Sequence, residues 1–270
     1  MTAPPEPRKA PQGTNGARKH TSILDRVRAQ TDGPDVSELL RRIDELESCI
    51  NTLAHDLRSP LVALLGFSRL LRQDYGEKLD ETGLHFVDRI EQAGRTMEAL
   101  IHDLLELSRI GQPGEYPALV SPRAVLSQIS AELKPQLDEK HIALDLPEDP
   151  PLVYCDRTRL YQVFSNLIGN AVQHMGDCEN RKITVEIREE VDVHRITVRD
   201  HGCGVDPEHH ERIFEPFQSL APRQAERLGT GMGLAIVRKI AETRGGRAWV
   251  ESAPEAGACF HVTLPQVRPR

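Results

Sequence analysis

The run His55-Asp56-Leu57-Arg58-Ser59-Pro60 sets an imidazole beside a carboxylate, with a hydroxyl at +4 and a proline at +5. An imidazole is largely neutral at pH 7 and keeps a lone pair on one ring nitrogen. It can attack an electrophile while a neighbouring acid holds the other N–H and fixes the tautomer. Pro60 falls inside what reads as a long amphipathic helix, where it removes a backbone hydrogen bond and costs about 3 kcal/mol. The helix is therefore expected to bend one turn after His55.

Four further blocks carry chemistry. In Asn166-Leu167-Ile168-Gly169-Asn170-Ala171, followed by Gln173-His174, two asparagines at i and i+4 share a helix face. Asparagine is mildly unfavourable in a helix interior. Its carboxamide oxygen can ligate Mg2+ without adding negative charge against a polyphosphate, and Mg2+ fills its shell with phosphate oxygens and waters. Taken alone, a helix cap or a satisfied core amide is the simpler reading. Asp200-His201-Gly202-Cys203-Gly204 follows an alternating strand. An acid at a strand end can accept the exocyclic amine of adenine, with glycines admitting the ring close to the backbone, although an ordinary strand-to-turn acid is commoner. Ile213-Phe214-Glu215-Pro216-Phe217 places aromatics ahead of a polar stretch at 218–228 and reads as the anchor of a lid. Gly229-Thr230-Gly231-Met232-Gly233-Leu234 is a glycine-rich turn running into a helix, whose free N–H groups and positive dipole end suit phosphate oxygens. It is neither a GxGxxG fingerprint nor a P-loop.

These blocks need a frame. Val36, Leu39, Ile43, Leu46, Ile50, Leu53 and Leu57 step by 3 and 4 in alternation, a heptad seam. With Ile50 at a and Leu53 at d, His55 falls at the outward f position, and Asp56 and Cys49 fall at g. A second helix from about Glu81 to Gly111 repeats the stepping through Val87, Ile90, Gly94, Met97, Ile101 and Leu104. Two seamed helices joined by a short loop form a hairpin, and two hairpins make a four-helix dimer. Beyond 112–114, read as a linker, the texture is mixed. Helices are expected at 121–139, 156–174 and 233–244, and strands at 142–146, 182–188, 194–200, 247–252 and 259–264, an α+β sandwich. Residues 1–34 lack apolar periodicity and read as a disordered tail.

Composition narrows the function. The chain has 270 residues, 39% hydrophobic, 28% charged and only 4% aromatic, with a net charge of −7. That balance argues against a nucleic-acid partner. No apolar run reaches membrane-spanning length and no apolar signal core opens the chain. The five cysteines form no CxxC pair and read as reduced thiols in a cytoplasm.

Five motifs in this order resemble the H, N, G1, F and G2 boxes of two-component sensor histidine kinases over about Val36 to Leu264. The resemblance implies a dimerisation and phosphotransfer domain at 35–114 and a Bergerat-type ATP-binding domain at 115–270. It implies that His55 accepts the γ-phosphoryl group of ATP with Asp56 beside it, and passes it to an aspartate of a response-regulator receiver domain. Asn170 is then the Mg2+ ligand and Asn166 a second polar contact. Asp200 reads adenine, with Gly202 and Gly204 lining it. Gly229, Gly231, Gly233 and Leu234 belong to the phosphate turn, Thr230 is a phosphate contact, and His174 lies near the nucleotide. Ser59 stands where a threonine or asparagine orients a hydrolytic water, Gln173 where a lysine is common, and His201 where asparagine or threonine is frequent. A homodimer is implied, with a separate sensor protein as one source of input. A catalytically degenerate scaffold is disfavoured by the complete asparagine, aspartate and glycine set. Other Bergerat ATPases lack a histidine–proline box on a preceding hairpin.

Overall fold

The computed structural model describes residues 34–112, 116–218 and 229–266. Residues 1–33 of the expected tail, 113–114 of the expected linker and 219–228 of the expected lid stretch lie outside the described residues, and Pro34, the last residue of the expected tail, instead opens a helix.

Helix α1 spans Pro34–Tyr75 and continues through Pro60. A 3-10 turn at Gly76–Lys78 leads to α2, Glu81–Arg109. Asp80 caps α2: its Oδ1 accepts the Gly83 N–H at 2.7 Å, and Glu81 complements the helix dipole. The hairpin closes on Ala54, Leu61 and Leu65 of α1 against Ile101 and Leu105 of α2, a buried cluster of its own. Gly94 permits the approach, because a Cβ there would lie 2.6 Å from Leu65 Cδ2. Near the loop, the buried Glu91 carboxylate takes Arg72 Nε at 3.2 Å and Arg95 Nη2 at 2.9 Å, so an ion pair ties the two helices.

The row that closes the hairpin is not the expected seam. Ala54 and Leu61 stand at e, while Leu39, Ile43, Leu46, Leu53, Leu57 and Leu64 stay exposed. On α2 the expected row divides: Val87, Gly94 and Ile101 are buried in the hairpin, and Ile90 and Met97 are exposed. One helix face cannot serve two partners, so the intramolecular contact uses a neighbouring stripe and leaves the heptad row free.

The second unit is a helical layer on a mixed sheet. A two-stranded sheet pairs β1 (Ala118–Val120) antiparallel with β3 (Val153–Cys155), which the sequence reading did not anticipate. The main sheet holds β2 (Ala143–Asp145), β4 (Lys182–Glu190), β5 (Val193–Arg199), β6 (Ala248–Ser252) and β7 (Ala258–Pro265) in the order β2-β4-β5-β7-β6. Only β2 and β4 run parallel. Alternation sends Ile183, Val185 and Ile187 inward from β4 and leaves Glu186 and Arg188 outside. Helices α3 (Pro122–Glu139), α4 (Arg157–Gln173) and α5 (Gly233–Thr243) cover the inward face in one apolar cluster. Short 3-10 turns at Pro207–His209 and Arg212–Phe214 fill the β5–α5 connection. Ile110, just past the end of α2, is buried in this same cluster, with Leu100, Leu104 and Leu107 packed against it.

Gly94→Leu is expected to cost the hairpin about 1–3 kcal/mol by overpacking against Leu65, read as a lower urea midpoint of helical circular dichroism.

Candidate functional site

His55 projects from α1 with its side chain 82% exposed, and its Nδ1 lies 3.3 Å from Asp56 Oδ1. The outward position expected from the heptad is the one observed. Contact at Nδ1 leaves Nε2 open to a reactant. Ser59 is exposed one turn further on, on the face that residues i and i+4 share.

A cavity of about 770 Å3 opens in the α/β unit between α3, α4, the β5 end and the α5 turn. Helix α4 sets one wall. Asp156 caps it, with Oδ1 accepting the N–H groups of Thr158 at 2.8 Å and Arg159 at 3.3 Å. Its apolar face (Leu160, Val163, Phe164, Leu167, Ile168 and Ala171) is fully buried. That packing turns Ser165, Asn166, Gly169, Asn170 and Gln173 towards the cavity at the i, i+1, i+4 spacing of one helix side. The two asparagines differ. Asn166 Nδ2 donates to the Gln162 carbonyl at 2.8 Å and its Oδ1 abuts Gly233, where a Cβ would come within 2.7 Å. The Asn170 carboxamide has no protein partner among the described residues.

Asp200 follows β5 and is 5% exposed. Its Oδ1 accepts the N–H of Gly202 at 2.9 Å and of Ala258 at 3.1 Å, which leaves Oδ2 for a ligand. Burial pushes its carboxyl pKa up, opposed by those two amides and by His174 and His201. Burial also holds the His174 imidazole below its ordinary range, so it stays neutral at pH 7. His201 turns away, with Nδ1 3.0 Å from the Lys182 carbonyl.

The glycines serve different ends. Gly204 (φ +71) and Gly231 (φ +69) take the left-handed conformation at the cavity wall, and backbone crowds both: a Cβ would meet the Ala253 oxygen at 2.0 Å and the Gln218 oxygen at 2.7 Å. Gly202 is buried beneath the wall, 2.3 Å from the His174 carbonyl at the Cβ position, and does not line the cavity. Gly229, Gly233 and Leu234 line it, as does Thr230. The Thr230 hydroxyl, however, donates to Asp103 Oδ2 of α2 at 2.6 Å. Of the two box aromatics, Phe214 is buried edge-on to Phe260, and Phe217 is exposed with φ +63.

The cavity thus gathers Asn166, Asn170, His174, Asp200, Gly204, Gly229, Thr230, Gly231, Gly233 and Leu234 from three separate segments. His55, Asp56 and Ser59 lie outside it on α1. Sequence reasoning missed Leu133 and Gln136 of α3, which line the opposite wall. Nothing local marks them, because α3 reads as an ordinary amphipathic helix. It also missed the contact of α2 with α4, where Glu106 Oε2 accepts from Arg159 Nη1 at 3.1 Å and Gln162 Nε2 at 2.6 Å.

Comparison with known proteins agrees with this layout. Residues 45–113 match the His Kinase A (phospho-acceptor) domain, and residues 155–268 match the Histidine kinase-, DNA gyrase B-, and HSP90-like ATPase family. The chain is 36% identical to the methanogenesis regulatory histidine kinase FilI of Methanothrix harundinacea, over 89% of this chain and 27% of FilI. It is 33% identical to the adaptive-response sensory kinase SasA of Prochlorococcus marinus, over 93% of this chain and 69% of SasA. It therefore spans under a third of FilI but more than two thirds of SasA. Among solved structures, full-length ShkA in complex with AMPPNP superposes with a TM-score of 0.64 at 28% identity, covering 82% of this chain and 46% of ShkA. Acinetobacter baumannii histidine kinase AdeS shares the fold, with a TM-score of 0.55. With an exposed histidine on a helical hairpin, the ordered cavity motifs on an α/β sandwich and these matches, the chain belongs to the two-component sensor histidine kinases.

Proposed function

We propose that this chain is an ATP-dependent protein-histidine kinase that phosphorylates its own His55 and hands the phosphoryl group to an aspartate of a response-regulator receiver domain. The observation that carries the reading is the pairing, on one chain, of the exposed His55–Asp56 dyad with a cavity that offers a strand-end carboxylate and an uncommitted carboxamide. The Nε2 lone pair of His55 attacks the γ-phosphorus of ATP, the bond to the bridging oxygen breaks, and ADP leaves. Asp56 holds the Nδ1 proton and offsets the positive charge that builds on the ring.

Asp200 accepts the adenine amine at Oδ2. Gly204 admits the ring, and the turn from Gly229 to Leu234 receives the phosphates at the α5 N-terminus. Among the described residues no group of three or more His, Cys, Asp or Glu side chains could hold a metal. The Asn170 carboxamide, which has no protein partner among the described residues, would hold Mg2+. The ion supplies charge neutralisation on the phosphates.

Residues 35–114 form the dimerisation and phosphotransfer domain and 115–270 the ATP-binding domain. The exposed row of Leu53, Leu57, Leu64, Ile90 and Met97 supports a homodimer, with a second hairpin covering it. No described helix is long and apolar enough to cross a membrane. Use of ATP and a receiver domain supports a cytoplasmic setting. Ser59, one turn beyond His55, keeps the hydroxyl of a water-orienting threonine but lacks the methyl that restricts its rotamer, which argues for kinase over phosphatase chemistry.

His55→Gln is expected to abolish acid-labile, base-stable label from [γ-32P]ATP with the dimer intact by light scattering, and persistent label would place the acceptor elsewhere. Asp200→Asn turns a donor towards the adenine amine, so ATP affinity should fall about 10- to 100-fold, as for other lost buried partners. Because burial raises the Asp200 pKa, the carboxylate protonates at a higher pH than an exposed acid would. ATP affinity, followed by calorimetry on acidification, should therefore weaken early in the wild type and stay flat in Asp200→Asn.

A further inference from the structure

A hydroxyl has one proton to donate, and in Thr230 that proton is committed. It goes to Asp103 Oδ2 at 2.6 Å, while Oγ1 accepts the Met232 N–H at 3.3 Å. Thr230 sits in the cavity wall on the turn that opens α5. Asp103 belongs to α2, in the hairpin. The contact therefore joins the phosphate end of the cavity directly to the helical stalk.

One helical turn further along α2, Glu106 makes a second join, accepting from Arg159 and Gln162 of α4. Arg159 is buried and also donates to the Arg109 carbonyl at 3.3 Å. Leu100, Leu104, Leu107 and Ile110 pack on the α/β core beside both acids. The two joins differ in one respect. Arg159 and Gln162 lie outside the cavity lining, so a ligand there leaves the Glu106 contact intact. Thr230 is part of the lining.

A carboxylate and a phosphate oxygen are both acceptors, so one hydroxyl proton cannot serve both, and two anions on either side of it repel. We propose that Asp103 is a latch that holds the phosphate-binding turn on the stalk in the absence of nucleotide. ATP and α2 then compete for Thr230, and Glu106 with Arg159 remains as the hinge. The inference rests on the reading of the cavity as the ATP site with Thr230 as a phosphate contact. In the latched arrangement no described residue of α1 lines the cavity. Nucleotide binding frees the phosphate end of the domain from α2, and the Glu106 join keeps it tethered near His55. A released Asp103 retains a neighbour in His102, whose Nδ1 lies 3.6 Å from Oδ1.

Calorimetric titration of the full chain with Mg2+ and the non-hydrolysable analogue AMPPNP tests the latch. Asp103→Ala should bind at least about fivefold tighter than wild type, because an open turn no longer has to be freed first. Glu106→Gln should stay within about twofold, because its partners do not touch the ligand. In the wild type, AMPPNP should raise amide hydrogen exchange at residues 100–107, a readout that needs no variant. Unchanged or weaker binding by Asp103→Ala, an equal gain in both variants, or unchanged or increased protection at 100–107 overturns the latch. A wild-type chain that binds no nucleotide instead brings down the reading of the cavity itself.

Discussion

Helix α4 must bury one side completely, and the rest of the molecule is arranged around that demand. Six of its apolar side chains, from Leu160 to Ala171, have no solvent exposure. Each fully buried aliphatic or aromatic side chain contributes about 1.5–3 kcal/mol, so the helix cannot rotate on the sheet without losing most of that. With rotation forbidden, the polar side has one possible direction. Asn166 and Asn170 face the cavity, and at the N-terminal end Arg159 and Gln162 face the stalk. A single packing constraint thus aims both the residues that line the cavity and the residues that meet the hairpin.

The electrostatics of the cavity suit an anionic guest only in part. The chain carries a net charge of −7, and where lysine is common in the family it has Gln173. Asp200, with its pKa raised by burial, is held at the far end by two backbone amides. The wall groups on the α4 and α5 sides that could meet an anion are neutral: the turn before α5, the Thr230 hydroxyl and the Asn170 carboxamide. Neutral dipoles make a weaker anion site than a lysine would, so a neighbouring carboxylate such as Asp103 has more leverage over it.

The hairpin separates two jobs on adjacent stripes of α1. The e-position row of Ala54 and Leu61, with Leu65, meets α2, where Gly94 makes room, and the a/d row of leucines faces outward. His55, at f, lies on neither stripe. It stays clear of the hairpin contact and of any partner laid on the a/d row, as a residue that must meet a separate domain requires.

Sequence patterning alone determined most of the architecture. The 3-4 stepping located both hairpin helices and put His55 outside. Alternation located β4 and β5, strands were also expected at the places of β2, β6 and β7, and the family resemblance of the ordered boxes pointed to ten of the residues that line the cavity. Periodicity, capping and turn chemistry are local, being properties of neighbours along the chain, whereas the boxes gained their meaning from their order. Tertiary structure decided the rest. Which stripe of α1 closes the hairpin depends on where Gly94 lets α2 approach, and heptad spacing does not contain that information. The β1–β3 pair consists of two three-residue segments, too short to show a period. Gly202 supports the wall from beneath because the His174 carbonyl passes 2.3 Å from its would-be Cβ. The bond from Thr230 to Asp103 joins residues 127 positions apart. No window along the chain spans that separation, and only the docking of α2 on the α/β unit brings the two side chains together.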